Sequence, residues 1–111
     1  MSTATPRTAH LRGTLDVLVL KAVSLEPLHG VGIVRRIRQI THDAVDVSYG
    51  SLFPALHRLE DRGWLASAWR ASEANRRARY YQLTRAGRSQ LDREEREWRR
   101  IAAAVIAALE S

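Results

Sequence analysis

The chain has 111 residues and no cysteine, so it has the size of one domain and excludes a disulfide framework or a thiolate-bound metal. The formal net charge is +6, and Lys21 is the only lysine among 18 basic residues, which indicates an arginine-rich surface suited to phosphate groups. No apolar run approaches the ~20 residues of a membrane span, and the lack of cysteine favours a cytoplasmic protein.

The first predicted element is a helix that follows a short polar segment. Residues 1–10 are small and polar with one proline, and we expect them to form a flexible arm. From Leu11 to Leu25 apolar residues recur at steps of four and three, which predicts a helix with one buried face. Pro27 and Gly30 end this helix.

Two further helices are predicted before the middle of the chain. Residues 31–40 carry isoleucines at helical spacing, and residues 49–62 carry leucines at spacings of four and three. Ser48 is the expected N-cap of the third helix, Phe53 is expected to widen its buried stripe, and Gly63 ends it. Pro54 lies near the first turn, where its missing N–H is tolerated best.

The second half of the chain predicts a hairpin and a closing helix. Residues 64–70 and 79–84 are expected to form two strands around a polar turn at 71–78. Thr84 then caps a long final helix that runs to Leu109. The predicted fold is mainly α with a small β-hairpin: a winged helix-turn-helix over residues 11–83, followed by one C-terminal dimerisation helix over 84–111.

The order of elements predicts a DNA-binding surface formed by the third helix and the hairpin. A short third helix can enter the major groove, while a basic hairpin lies along the backbone. The face expected to point outward from the third helix comprises Tyr49, Ser51, Ala55, His57 and Arg58. The hairpin contributes Arg70, Arg76, Arg77 and Arg79 with Tyr80 beside them. The alternatives are a solvated basic loop and a core helix of a module that does not bind DNA.

The final helix predicts an interface with a second copy of the chain. Three i,i+4 charge pairs support its first half: Asp92/Arg96, Arg93/Glu97 and Glu95/Arg99. Its apolar stripe comprises Leu91, Trp98, Ile101, Val105, Ile106 and Leu109. A monomer of this size would struggle to cover that stripe, and pairing across a two-fold axis would bury it.

Catalysis and metal binding are not expected. The four histidines His10, His29, His42 and His57 are scattered and lack metal-ligand spacing. Gly30 and Gly32 are too few for a nucleotide fingerprint, and no strand precedes them. We therefore expect no enzyme activity and no cofactor.

Three motifs in order resemble the signatures of the PadR family of bacterial transcriptional regulators. They are YGSLFPALHRLE at 49–60, LHGVGI at 28–33, and RRARYYQLT at 76–84 with Gly87 following. The resemblance covers roughly residues 13–98. The single short C-terminal helix and the sequence of the hairpin resemble the small, acidobacterial-type subfamily. Val31 stands where the family usually has an aromatic residue, and Phe53 stands where it usually has tyrosine.

The resemblance implies a homodimeric repressor of its own gene and of an adjacent transporter or stress gene, relieved by a small molecule or a stress signal. Its operator would be an inverted repeat in double-stranded DNA. In the family the last helix packs against the partner's first and last helices, so Leu11 and Leu15 would join the dimer interface. The resemblance also implies that His29 orders the turn between the first two helices.

Two points stay open after the resemblance. Trp98 matches a position at which some small members bind flat hydrophobic drugs between paired tryptophans, but it is equally an interface packing residue. The rival function is a winged helix that contacts proteins or senses a ligand without binding DNA directly. The arginines of the wing favour DNA, because a protein-binding module does not need three of them together.

Overall fold

The computed structural model describes residues 4–111, with side chains described from residue 13 onward. It contains four helices and one two-stranded antiparallel sheet in the order that the sequence predicts, which confirms the fold class. The elements are α1 (Ala4–Leu25), α2 (Gly30–Ile40), α3 (Tyr49–Asp61), β1 (Leu65–Ala71), β2 (Arg77–Leu83) and α4 (Arg85–Leu109). None of the described helices is both long enough and apolar enough to cross a membrane.

Helix α1 begins at Ala4 rather than at Leu11, so most of the predicted flexible arm has a helical backbone. Residues 1–3 of that arm lie outside the described residues. The prediction placed the start of the helix where the apolar periodicity begins. That periodicity shows which residues are buried, not where the helical backbone starts. Pro6 falls in the first turn, where a missing N–H removes no intrahelical hydrogen bond.

The hydrophobic core lies where α1, α2 and α3 pack together. Its largest fully buried side chains are Val19, Leu20, Ile33, Ile37, Leu52, Leu56 and Leu59. The leucine stripe of α3 is thereby confirmed. Two neighbouring predictions are wrong: Ala55 is buried, whereas Phe53 is largely exposed. Ala55 lies within the leucine stripe at helical spacing, and Phe53 lies beyond its edge, beside Gly30 of α2.

The ends of the helices confirm the predicted caps. The side chains of Ser48 and Thr84 accept hydrogen bonds from the N–H groups of Ser51 and Gly87 and so cap α3 and α4. His29 caps α2, because its Nδ1 accepts a hydrogen bond of 3.0 Å from the N–H of Gly32. This is the turn-ordering role that the resemblance implies.

The hairpin, called the wing from here on, pairs Leu65 with Leu83 at its base and Ala71 with Arg77 near its tip. The turn is tighter than the predicted 71–78, because Asn75 adopts a left-handed φ of 58° that closes it early. At the base, the backbone of Leu28 forms two hydrogen bonds with Tyr81. The linker between α1 and α2 therefore lies along the outer edge of β2 and fixes the wing to the helical domain.

Helix α4 has two dissimilar halves. Its start packs closely on the base of the wing, where any side chain at Gly87 would collide with the carbonyl of Trp64. Leu91, predicted at the dimer interface, is instead buried in the core of its own chain, so it has no surface left to offer a partner. From Arg99 onward every residue is exposed, and the helix, about 37 Å long at 1.5 Å per residue, projects from the domain.

The charged face of α4 differs in part from the predicted pairs. Glu95 and Arg99 form the expected ion pair at 2.9 Å. Glu97 pairs with Arg100 at 2.6 Å instead of with Arg93, whose guanidinium donates to the side-chain oxygen of Gln90. In the described part of the chain the predicted pairs Asp92/Arg96 and Arg93/Glu97 form no ion pair. Glu97 and Arg93 instead have partners about one turn away, Arg100 and Gln90.

Candidate nucleic-acid interface

The exposed face of α3 is rich in aromatic surface and poor in charge. Tyr49 and His57 are exposed there, as predicted, together with Gly50 and Pro54. The rings of Tyr49 and Phe53 stack with their centroids 6.0 Å apart, and each residue is 45% exposed. Ser51 is also exposed, and its hydroxyl accepts a hydrogen bond of 3.2 Å from Ser48. The first two turns of α3 thus present rings and hydroxyls.

Arg58 does not lie on this exposed face, in contrast to the prediction. Its Nη2 donates a hydrogen bond of 2.8 Å to Oδ1 of Asp16 on α1. The Arg58 and Asp16 side chains are only 28% and 14% exposed. A partly buried carboxylate on α1 draws the guanidinium to the inner flank of α3. Arg58 therefore links α3 to α1 through this ion pair.

The predicted arginines of the wing divide between its two faces. Because Trp69 pairs with Arg79 and Ala71 pairs with Arg77, these side chains share the face that looks towards α3. Arg70 lies on the opposite face, with its guanidinium 3.9 Å from the ring centre of Tyr80. Tyr80 is half-buried, and its ring also meets the ring of His29 edge to face at 5.1 Å. Tyr80 thus supports Arg70 and the base of the wing.

Arg79 differs from the other wing arginines, because its charge is largely neutralised. Its Nε donates to Oγ of Ser67 at 2.9 Å, and its Nη2 lies 3.4 Å from Oε2 of Glu60 at the end of α3. Ser67 completes the triangle by donating to the same carboxylate oxygen. Next to this network, burial raises the pKa of the Tyr81 hydroxyl. The network fixes the angle between the wing and α3.

Sequence reasoning missed the roles of Glu60 and Ser67. Glu60 is 19 residues from Arg79, and no periodic pattern links the two positions. The register of the hairpin brings them together, and the register follows from the tight turn, which the sequence suggested only loosely.

Arg76 and Arg77 are the two arginines at the tip of the wing. Both are exposed, and neither has an acidic partner in the part of the chain that the structure describes. The guanidinium of Arg77 lies 5.4 Å from the ring centre of Trp69, which is itself 54% exposed. Between this tip and α3 runs a groove of about 460 Å³, called the wing groove from here on. Its walls include Val31, Tyr49, Phe53, Trp69, Arg76 and Arg77.

A second concave site lies around Trp98, where the first half of α4 crosses α1. The cavity measures about 310 Å³, and its lining includes Val17, Leu18 and Lys21 from α1. Trp98 is half-buried against this cavity. Among residues 13–111, no group of three or more histidine, aspartate or glutamate side chains is placed to hold a metal ion.

Comparison with known proteins agrees with the architecture. The family model described as the transcriptional regulator PadR-like family matches residues 19–93. The chain belongs to this family. The transcriptional regulator Rv3488 of Mycobacterium tuberculosis is 30% identical over 95 residues, which span 86% of this chain and 85% of that protein. This chain is therefore a DNA-binding transcriptional regulator of the PadR-like family and not an enzyme.

Solved structures extend the likeness over nearly the whole chain. A PadR family regulator from Eggerthella lenta superimposes with a TM-score of 0.75 at 30% identity and covers 96% of this chain and 92% of its own. A PadR-like regulator from Bacillus cereus gives a TM-score of 0.79 at 24% identity, with 93% and 98% covered. The second comparison supports the fold of this PadR-like regulator, including its long last helix.

Proposed function

We propose that this PadR-like regulator is a homodimeric repressor that binds an inverted-repeat operator. The observation that carries the proposal is the pair of exposed arginines Arg76 and Arg77 at the tip of the wing, beside the exposed face of α3 that carries Tyr49, Ser51 and His57. Unneutralised guanidinium groups favour phosphate oxygens, which supply affinity independent of sequence. Arg70 adds a third exposed cation on the other face of the wing.

In this proposal α3 enters the major groove and the wing lies along the adjacent backbone. Tyr49, Ser51 and His57 face the base edges, because the N-terminal residues of a recognition helix come closest to them. Arg58 and Arg79 contribute indirectly, since their ion pairs hold α3 and the wing at fixed angles to the domain. Tyr80 acts in the same indirect way through Arg70.

A second copy of the chain would cover the projecting half of α4. Val105, Ile106 and Leu109 are 51%, 54% and 80% exposed, and Ile101 lies one turn earlier on the same stripe. In a single chain this apolar stripe is exposed to water, and pairing with a second copy would bury it. Leu15 on α1 is half-buried against the core of its own chain, and the side chain of Leu11 lies outside those described. A two-fold dimer places two α3 helices about 34 Å apart, which matches an inverted repeat.

The proposed signal is a planar hydrophobic molecule bound at Trp98. The cavity of about 310 Å³ lies within the usual range for small-molecule sites, and the indole offers a flat face for stacking. Binding there would lie between α1 and α4 and would relieve repression of the protein's own gene and of an adjacent transporter or stress gene. These features and the single C-terminal helix support assignment to the small, acidobacterial-type subfamily.

The proposal is tested by fluorescence anisotropy on the promoter of the protein's own gene across a salt series. We expect binding that weakens steeply as salt rises, with the slope reduced by about one for each phosphate contact removed. Sedimentation equilibrium gives the oligomeric state, and Val105→Asp should shift it towards monomer, whereas Ser111→Asp should not. Absence of binding to every promoter fragment at low salt would instead favour a winged helix that contacts proteins.

A further inference from the structure

The wing groove combines apolar walls with positive charge in a way that α3 or the wing alone does not. The stacked rings of Tyr49 and Phe53 form the wall on the α3 side. Trp69 stands on the wing side, and Val31 from the start of α2 lies at one end. Three of these four side chains are aromatic, and all four are about half exposed.

The charge of the wing groove is of one sign. Its lining includes Arg76, Arg77 and Arg79, and none of the residues that line it carries a carboxylate. Glu60, which lies outside the lining of the groove, forms an ion pair with Arg79, so Arg76 and Arg77 supply the uncompensated positive charge. The Trp98 cavity differs in this respect, because Glu95 lines it together with Lys21 and Arg99. The uncompensated positive charge is therefore larger in the wing groove than in the Trp98 cavity, which favours an anion in the wing groove.

Two small features keep the wing groove open. Val31 is short, and Phe53 has no hydroxyl, so the end of the groove is both wide and apolar. These are the two positions at which the sequence departs from the residues described above as usual for the family.

We propose that the wing groove binds a small planar aromatic anion, and that this ligand competes directly with DNA. The ring stacks on the aromatic wall of Tyr49 and Phe53, and the anionic group pairs with the forked guanidinium groups of Arg76 and Arg77. A volume of about 460 Å³ accommodates a molecule of two fused rings. Because the same arginines are proposed to hold the DNA backbone, only one of the two partners can occupy them. This competition rests on the proposed function, whereas binding of the ligand does not.

Calorimetry with naphthalene-2-carboxylate tests the site, with the neutral naphthalene-2-carboxamide as the matched control. We expect one carboxylate per chain and at least about tenfold weaker binding of the amide, which corresponds to about 1.4 kcal/mol. Val31→Trp fills the end of the wing groove from an exposed position and should weaken binding by a similar factor, as should Arg77→Gln. Thermal unfolding of each variant confirms that the fold is retained.

Two further arms identify the source of the ligand and the location of the site. Adenosine monophosphate offers the same chemistry, and tighter binding of the nucleotide, weakened again by Val31→Trp, would support the wing groove with a nucleotide as its ligand. Loss of carboxylate binding in Trp98→Ala with retention in Val31→Trp would overturn the proposal, because it would place the ligand at α4. Equal binding of carboxylate and amide would overturn it as well.

Competition is measured separately with the promoter duplex. At a ligand concentration tenfold above its own dissociation constant, the apparent dissociation constant for DNA should rise about tenfold, and Val31→Trp should remove that rise relative to its own baseline. Simultaneous binding of ligand and DNA would contradict direct competition. If the duplex does not bind even without ligand, the proposed repressor function fails, while the calorimetric result still decides whether the wing groove is a binding site.

Discussion

The exposed face of α3 carries aromatic rings and small polar groups, whereas the tip of the wing carries arginines that form no ion pair with any residue that the structure describes. Two other arginines close to α3 are already paired within the chain: Arg58 with Asp16 and Arg79 with Glu60. The contrast teaches that an arginine in a DNA-binding fold either forms an ion pair within its own chain or stays available to an external anion such as phosphate. Affinity would come mainly from the wing tip, and selectivity from the shape and rings of α3.

The first prediction tests this contrast by displacing the base of the wing while leaving α3 intact. Gly87→Ala places a Cβ against the carbonyl of Trp64, a backbone atom that cannot rotate away. We expect the free energy of unfolding to fall by about 2–3 kcal/mol, since overpacking forces the start of α4 away from β1. Urea denaturation measures the change.

A matched glycine supplies the control for that variant. A Cβ at Gly13, within α1, meets no atom within 4 Å. Gly13→Ala should therefore raise the free energy of unfolding, by up to about 1 kcal/mol, through the better helix propensity of alanine. A Gly87→Ala protein as stable as the wild type would show that the base of the wing is loosely packed.

The second prediction concerns the pair that holds α3. Arg58→Met leaves the partly buried Asp16 carboxylate without a partner and should lower the free energy of unfolding by about 1–2 kcal/mol. Asp16→Leu removes the same pair from the other side and should lower the free energy of unfolding by a similar amount. If Arg58 only positions α3, both variants should weaken DNA binding to a similar extent. A much larger loss in Arg58→Met would mean that Arg58 contacts DNA itself.

The third prediction separates the two kinds of wing arginine. Arg77→Gln should reduce the slope of log affinity against log salt by about 0.9, because one phosphate contact is lost. Arg79→Gln should change that slope by less than half as much, since Glu60 already neutralises its charge. Anisotropy titrations between low and moderate salt give both slopes. A larger reduction in Arg79→Gln than in Arg77→Gln would reverse the assignment.

The smallest expected effect is a decrease in the free energy of unfolding at alkaline pH. Burial raises the pKa of Tyr81 in the folded state above its value in the unfolded chain. The stabilisation is therefore fully present below about pH 10 and is lost as the pH rises from there towards the folded pKa. Urea denaturation at pH 8 to 11 should show this decline, which Tyr81→Phe flattens and the half-buried Tyr80→Phe does not. An equally steep decline in Tyr81→Phe would assign the loss to another group.

Much of the fold follows from local patterns in the sequence. The leucine spacing of α3, the capping residues Ser48 and Thr84, and the β-rich segments around a polar turn each have a local physical cause, and the structure confirms them. The start of α1 was placed too late because the apolar periodicity that the prediction used reports burial.

The sequence predicted where the candidate site lies, but not which of its arginines form ion pairs within the chain. Arginine content and the order of elements place a basic wing beside α3, and both are properties of the sequence. That Arg58 and Arg79 are paired depends on contacts 42 and 19 residues away along the chain. Phe53 and Ala55 exchanged their expected environments because the exposed edge of a helix is set by the neighbours that pack on it.

The most direct test of the contrast between α3 and the wing is a hydroxyl-radical footprint on the promoter duplex. The wild-type protein should protect two zones related by a two-fold axis and one helical turn apart, each with flanking backbone protection from a wing. In the double variant Arg76→Gln/Arg77→Gln, at low salt and saturating protein, the flanking protection should disappear while the two central zones remain. Unchanged flanking protection in that variant, or loss of the central zones alone, would contradict the division of roles between α3 and the wing.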